Sequence, residues 1–212
     1  LVGGYASNHV FPIRLDGDRV PSLVMGSIFL GATYLPWRND GKGNFKGFSF
    51  DAMEPSAYHL GIAAGNFGKE KLPAFADLFF RRELGSPRLA AGVTLYVDRS
   101  GAWEKIPVWR EKGYKSSHLV SVAMGDLDGD GLDDVVFPDF VAKKLRIFYQ
   151  TTDGKFLESP ENLEPDLRSA VCDVRLADLN GDGRLDVVLA ETTYTERPED
   201  RGGFEVFLNQ GK

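Results

Sequence analysis

A string rich in aspartate and glycine occurs twice in this chain, and internal repetition narrows the possible folds more than any other feature. One copy runs Val122-Ala-Met-Gly-Asp-Leu-Asp-Gly-Asp-Gly-Leu-Asp-Asp-Val-Val136 and the other Val174-Arg-Leu-Ala-Asp-Leu-Asn-Gly-Asp-Gly-Arg-Leu-Asp-Val-Val188. Their first loop aspartates, Asp126 and Asp178, are about 52 residues apart. The same register uncovers two weaker copies upstream. Ile13 to Val24 aligns Arg14, Asp16 and Asp18 with Asp126, Asp128 and Asp130, and Ala63 to Gly68 aligns Asn66 with Asp126. Four units, approximately residues 8–50, 58–107, 118–160 and 170–212, fill a single domain spanning 1–212.

Each unit reads as short strands. Alternating runs enter the loops (Val10 to Leu15, Leu60 to Ala64, Val120 to Met124, Val171 to Ala177), and apolar runs leave them (Leu23 to Met25, Phe75 to Phe80, Val135 to Phe137, Val187 to Ala190). A third run follows at Ala32 to Trp37, Val93 to Val97, Leu145 to Tyr149 and Phe204 to Leu208. Turns such as Asn39-Asp-Gly-Lys-Gly-Asn-Phe45 and Asp153-Gly-Lys-Phe156 then lead to an outer strand. Short strands punctuated by Asp-Gly turns argue for an all-β chain. A period of roughly 50 residues with four strands per unit argues for a β-propeller of four-stranded blades. The fourth unit stops before its outer strand. Either Leu1 to Tyr5 supplies that strand and closes a four-bladed ring, or the four blades are part of a larger propeller.

The loops carry the chemistry. Asp126, Asp128, Asp130 and Asp134 stand at loop positions 1, 3, 5 and 9, with Gly131 at position 6. Asp178, Asn180, Asp182 and Asp186 repeat the pattern around Gly183. Alternate spacing in a tight loop turns successive carboxylates toward one centre, and hard oxygen donors in this number suit Ca²⁺. Leu132 and Arg184, at position 7, are the expected backbone-carbonyl donors, with no role for their side chains. An EF-hand would need a bidentate Glu at position 12 and flanking helices; Phe137 and Leu189 stand there, between Val-rich strands. Two Ca²⁺ ions are expected. The upstream loops lack a carboxylate cage. The first has Arg14 at position 1, Arg19 in the place of the glycine and Ser22 at position 9, so a guanidinium could replace the ion by bridging Asp16 and Asp18, and the second, with Asn66, Gly68 and Glu70, reads as lengthened before Asp77.

The segment Gly125 to Val135, its copy at Ala177 to Val187 and the turn at Asn39 to Phe45 resemble the FG-GAP/VCBS repeat family, of which the integrin α-subunit propeller is a relative. The resemblance implies calcium between a blade's first and second strands, where it stiffens the blade. It also implies an extracytoplasmic home, since bacterial members are mostly secreted or surface proteins and some are modules of polysaccharide-acting enzymes. The family does not fix a ligand.

Composition narrows the function further. A formal net charge of −6 argues against a nucleic-acid partner. No apolar run approaches the length of a membrane span. The chain has neither an initiator Met nor a signal-peptide pattern, as expected of a processed product or a piece of a longer one. No nucleophile elbow, phosphate loop or zinc-hydrolase motif is present, so no catalytic or cofactor-binding residue is assigned. Cys172, the single cysteine, reads as a buried thiol. The functional expectation is a binding or scaffold module, for a protein partner or a glycan, or a subunit of a larger assembly. The alternative is the propeller portion of a polysaccharide lyase or related carbohydrate-active enzyme. A ligand is expected on the face opposite the calcium loops, where two long connections hold Arg81, Arg82, Arg88, Tyr194, Arg197 and Arg201. His9, His59 and His118 each precede a first strand and would bind metal only if they converged.

Overall fold

Valine, phenylalanine and leucine alternating with polar residues favour extended chain, and the glycines between them permit the reversals. The computed structural model describes residues 7–15, 18–27, 35–47, 57–82, 89–115, 121–139, 141–161, 163–165, 170–192 and 203–211. Among these, every regular element is a strand. The first sheet contains β1 (Ser7–Ile13), β2 (Ser22–Ser27), β3 (Leu35–Asn39) and β4 (Phe45–Gly47). The second contains β5 (Ala57–Phe67), β6 (Leu72–Arg82), β7 (Leu89–Arg99) and β8 (Ala102–Tyr114). The third contains β9 (Ala123–Gly125), β10 (Asp134–Asp139), β11 (Lys144–Gln150) and β12 (Phe156–Glu158). The fourth contains β13 (Ala170–Ala177), β14 (Asp186–Thr192) and β15 (Phe204–Phe207). Each is an antiparallel meander in chain order, so the all-β expectation and the one-sheet-per-repeat expectation hold together.

The register makes the units equivalent residue by residue. Ile13 pairs with Ser22, Gly65 with Ala74, Gly125 with Asp134 and Ala177 with Asp186, which brackets the four loops identically. The third strands place Trp37, Tyr96, Phe148 and Phe207 opposite Leu23, Phe75, Val135 and Val187. Even an irregularity repeats. Pairing shifts between Ser7 and His9, between His59 and Gly61, and between Val171 and Asp173, so Asn8, Leu60 and Cys172 occupy one shared bulge position. A bulge adds local twist.

Consecutive sheets stack face to face, and the core lies between them. Ile13, Leu15 and Val24 of the first sheet meet Ile62, Phe75 and Tyr96 of the second. Val93, Leu95, Val97 and Phe67 of the second meet Val122, Val135, Phe137 and Phe148 of the third. Leu127, Val136, Leu145 and Ile147 of the third meet Val174, Val187 and Leu189 of the fourth. The side of a sheet that meets the next sheet is its forward face, and the side that meets the preceding one is its backward face. Where first strands abut, small residues let them approach: a Cβ on Gly61 would lie 2.9 Å from Ser121 Cα. Across the array, the guanidinium of Arg175 on β13 stands 5.5 Å from the ring centre of Phe11 on β1. Among the described residues no hydrophobic cluster joins the fourth sheet to the first.

Two expectations need correction. The second loop is not lengthened before Asp77. Ala74 takes the place of Asp134, and the chain turns tightly at Gly68 to Lys71, closed by the Lys71 amide on the Gly68 carbonyl at 3.1 Å. Asp77 sits inside β6 opposite Ile62. The second sheet also runs longer than its repeat, since β8 reaches Tyr114, past the boundary expected at 107.

Candidate metal centre

The loop between β9 and β10 is built by its own aspartates. The amides of Gly129 and Gly131 donate to the two carboxylate oxygens of Asp126 at 2.7 and 2.9 Å, and the Leu132 amide donates to Asp130 at 2.8 Å. Gly129 and Gly131 take φ of 77° and 86°, a left-handed backbone that other residues adopt at a cost. This winding brings one ligand oxygen each of Asp126, Asp128 and Asp130 within 4.8 Å of one another, a set able to hold a metal ion. Among the described residues it is the one such group of three acidic, His or Cys side chains.

Asp134 anchors the base of the loop. It is buried, and its oxygens accept the amides of Leu127 and Gln150, both at 2.9 Å. Burial pushes its carboxyl up to about 7; the two amides oppose the rise, and the neighbouring charges of Asp128 and Asp130 add to it. Like-charged carboxylates this close repel unless protons or cations intervene.

The loop between β13 and β14 reproduces the frame. Gly181 and Gly183 donate to Asp178 at 2.7 and 2.9 Å, Arg184 N to Asp182 at 2.9 Å, and Leu179 and Asn209 to the buried Asp186 at 2.9 and 2.8 Å. Two side chains set it apart. Asn180 replaces a carboxylate and donates to Asp182 at 2.9 Å. The Arg184 guanidinium, expected to be uninvolved, donates to Asp182 at 2.5 Å and to the Asn209 carbonyl at 3.0 Å. The Asp182 carboxyl is held below its ordinary range by the Arg184 amide first, then by Asn180, with the guanidinium adding to both.

The upstream loops hold no comparable cage among the described residues. In the first, the guanidinium that pairs with Asp18 is that of Arg38, at 3.2 Å, and Ser22 donates to Asp18 at 2.6 Å. Arg14 is exposed there, and Asp16 lies outside the described residues. In the second, Lys71 reaches across to donate to the Gly131 carbonyl and lies 3.6 Å from Asp133, whose carboxylate also accepts the Asn66 amide at 2.8 Å. The second unit's hairpin thus braces the third unit's loop.

One functional position was not singled out from sequence. Two residues after the third-strand aromatic stand Asn39, Gln150 and Asn209, whose amide groups donate to the carbonyls of Pro21, Asp133 and Leu185 at 3.1, 2.7 and 3.2 Å. Gln150 also accepts the Gly68 amide at 2.6 Å, and Asn209 donates to the Leu127 carbonyl at 2.7 Å, so each ties its own loop to the preceding unit. The shared aromatic-x-amide spacing was the available signal.

His9 pairs with Gly26 just after the bulge of β1 and His59 with Phe79 just before that of β5, so these two histidines occupy different register positions. His59 is buried against Asp77, with Nδ1 2.9 Å from the nearer oxygen. The side chain of His9 and all of His118 lie outside what is described, as do the Cys172 side chain, Arg88, Tyr194, Arg197 and Arg201. Arg81 and Arg82 are exposed at the end of β6. Two clefts among the described residues open on the metal-loop side. One, of about 540 Å³, lies between the first and second sheets at Leu15, Arg38, Asp98 and Trp103. The other, of about 460 Å³, lies between the second and third at Phe67, Arg99 and Asp153. No helix among the described residues is long and apolar enough to cross a membrane.

Residues 138–189, from the middle of the third sheet to β14, match the family model described as the FG-GAP-like repeat. The chain carries an FG-GAP-like repeat. The match includes the whole second aspartate loop, and the strand register gives the loop at Asp126 the equivalent place in the third sheet. Comparison with curated proteins finds no match to the chain.

Proposed function

We propose that the chain is a calcium-stabilised β-propeller module that works outside the cytoplasm as a binding or scaffold element for a protein or glycan. The convergence of Asp126, Asp128 and Asp130 on one centre carries the reading. Asp134 and the Leu132 carbonyl would complete that ion's shell, and Asp178, Asn180, Asp182, Asp186 and the Arg184 carbonyl would hold a second. All are hard oxygen donors, and the crowding of their charges is what a divalent cation relieves. The propeller reading draws support from the face-to-face stacking of consecutive sheets and from the approach of Arg175 to Phe11. The extracytoplasmic reading follows from calcium supply, since loops of this kind stay empty where calcium is scarce.

Isothermal titration of calcium into chelator-treated protein, with melts before and after, tests the reading. About two ions per chain and a raised Tm are expected. Folded protein that takes up no calcium would overturn it.

A further inference from the structure

One acid of the Asp126 loop has no task in the metal pattern. Position 8 of the four loops holds Pro21, Pro73, Asp133 and Leu185, so the third unit alone has a carboxylate there. That carboxylate serves the preceding unit. Asp133 accepts the Asn66 amide at 2.8 Å and the Asn66 side chain at 3.2 Å, and Lys71 Nζ stands 3.6 Å from its other oxygen. Two more bonds join the same two units. Lys71 donates to the Gly131 carbonyl, and the Gly68 amide donates to Gln150 at 2.6 Å. Hairpin 66–71 of the second unit therefore holds the third at Gly131, Asp133 and Gln150.

The grip bears on the expected ligand atoms. The C=O and N–H of one trans peptide point in opposite directions. With the Gly131 carbonyl turned out to Lys71, the Leu132 amide of the same peptide turns in to Asp130 at 2.8 Å. Lys71 thus fixes the peptide between two donors of the proposed site, the Asp130 carboxylate and the Leu132 carbonyl. Asp133 follows directly and is fixed by Asn66. The hairpin is the second unit's own loop: Lys71 takes the position of Gly131, both in left-handed backbone, at φ 52° and 86°. Phe67, on the forward face of the second sheet, joins Gly68, Lys69 and Glu70 in walling the cleft of about 460 Å³ against the third sheet. Whatever fixes the hairpin fixes that wall.

We propose that calcium at the Asp126 loop fixes hairpin 66–71, and with it one wall of this cleft, so that a single ion couples the second unit to the third. The inference rests on the calcium reading above. Such coupling is reciprocal: an ion that favours the gripped loop tightens the hairpin, and a lost grip costs the ion the same factor. The Asp178 loop, with Leu185 at position 8, offers no carboxylate for an equivalent grip.

Amide-resolved hydrogen exchange in chelator and in calcium tests it. The Asn66 and Gly68 amides, whose partners belong to the third unit, should exchange at least about fivefold more slowly with calcium. The Gly101 amide is the control. It is bound to Asp98 at 2.7 Å in the other turn at the same end of the second sheet, and its rate should not change. Lys71→Met then separates positioning from charge. Removing an ammonium beside an acidic loop would, by charge alone, tighten calcium. Losing the grip on Gly131 should instead weaken calcium at the Asp126 loop about fivefold and leave the Asp178 loop unmoved. Calcium uptake with unchanged exchange at Asn66 and Gly68 would overturn the coupling and leave the metal reading standing. Slowing shared equally by Gly101 would also overturn it, as stabilisation of the whole fold. Tighter calcium binding by Lys71→Met would reduce Lys71 to a nearby charge and end its positioning role. No calcium uptake at all would remove both readings together.

Discussion

Asn180 and Arg184 make the two loops unequal in charge. The first loop presents Asp126, Asp128, Asp130 and Asp134; the second replaces one carboxylate by an amide and sets a guanidinium 2.5 Å from Asp182. Calcium affinity follows the number of ligand charges and the rigidity of the site, and an ion entering the second loop must compete with Arg184. Titration is therefore expected in two steps, the tighter one at the Asp126 loop. Asp126→Asn should remove that step, and Asn180→Asp combined with Arg184→Ala should tighten the weaker one by roughly tenfold. A second residue-level prediction concerns Asp139. Burial alone would raise its carboxyl, but the Tyr114 hydroxyl, the Ala142 amide and the Arg146 guanidinium outweigh burial and hold it below its usual range. A depressed native pKa contributes stability above the unfolded value of about 3.9 and loses it as pH falls through the native value. Thermal melts from pH 7 downward should show Tm falling below about pH 4, and Asp139→Asn should lower Tm at pH 7 while flattening that acid limb. An unchanged acid limb in the variant would remove Asp139 from the account.

At the scale of the element, the loops are held by third-strand amides as much as by their own aspartates. Gln150→Leu keeps the volume but leaves the Gly68 amide and the Asp133 carbonyl without their partner. The expected cost is about 2 kcal/mol in chemical denaturation. Gly61→Ala should cost a similar amount, about 1–3 kcal/mol, because the new methyl meets the Ser121 backbone, which a flexible side chain cannot relieve. These elements also mark what the sequence could tell. The two aspartate loops were legible because metal spacing, glycine placement and strand alternation all agree there. Strand order and the four-unit count were legible from the same register. Asp77 was misjudged because Lys71 closes a turn in left-handed backbone at φ 52°, which its residue type does not announce. The Arg38–Asp18 pair was missed because it joins β3 to the first loop, a distance along the chain that no local pattern encodes. The amide brace was present as Asn39, Gln150 and Asn209, but an isolated amide two residues after an aromatic has no meaning until the strands are paired.

For the whole molecule, the described contacts tie each sheet chiefly to its neighbours in sequence, so stability should spread as a chain of local couplings. Hydrogen exchange is expected to be slowest in β6, β7 and β10, whose residues are buried between two sheets, and fastest along β15. Uniform protection across all four sheets would contradict a stack of semi-independent layers. The amide brace has another consequence for such a stack. Asn39 grips the Pro21 carbonyl just as Gln150 grips that of Asp133, although the first loop shows no carboxylate cage among its described residues. Since the brace addresses main-chain atoms, a loop can trade its acidic side chains for others and keep its outline. Divergence in such an array can therefore extinguish an ion site in one unit without jeopardising the next, leaving vacated loops as raw material for new chemistry.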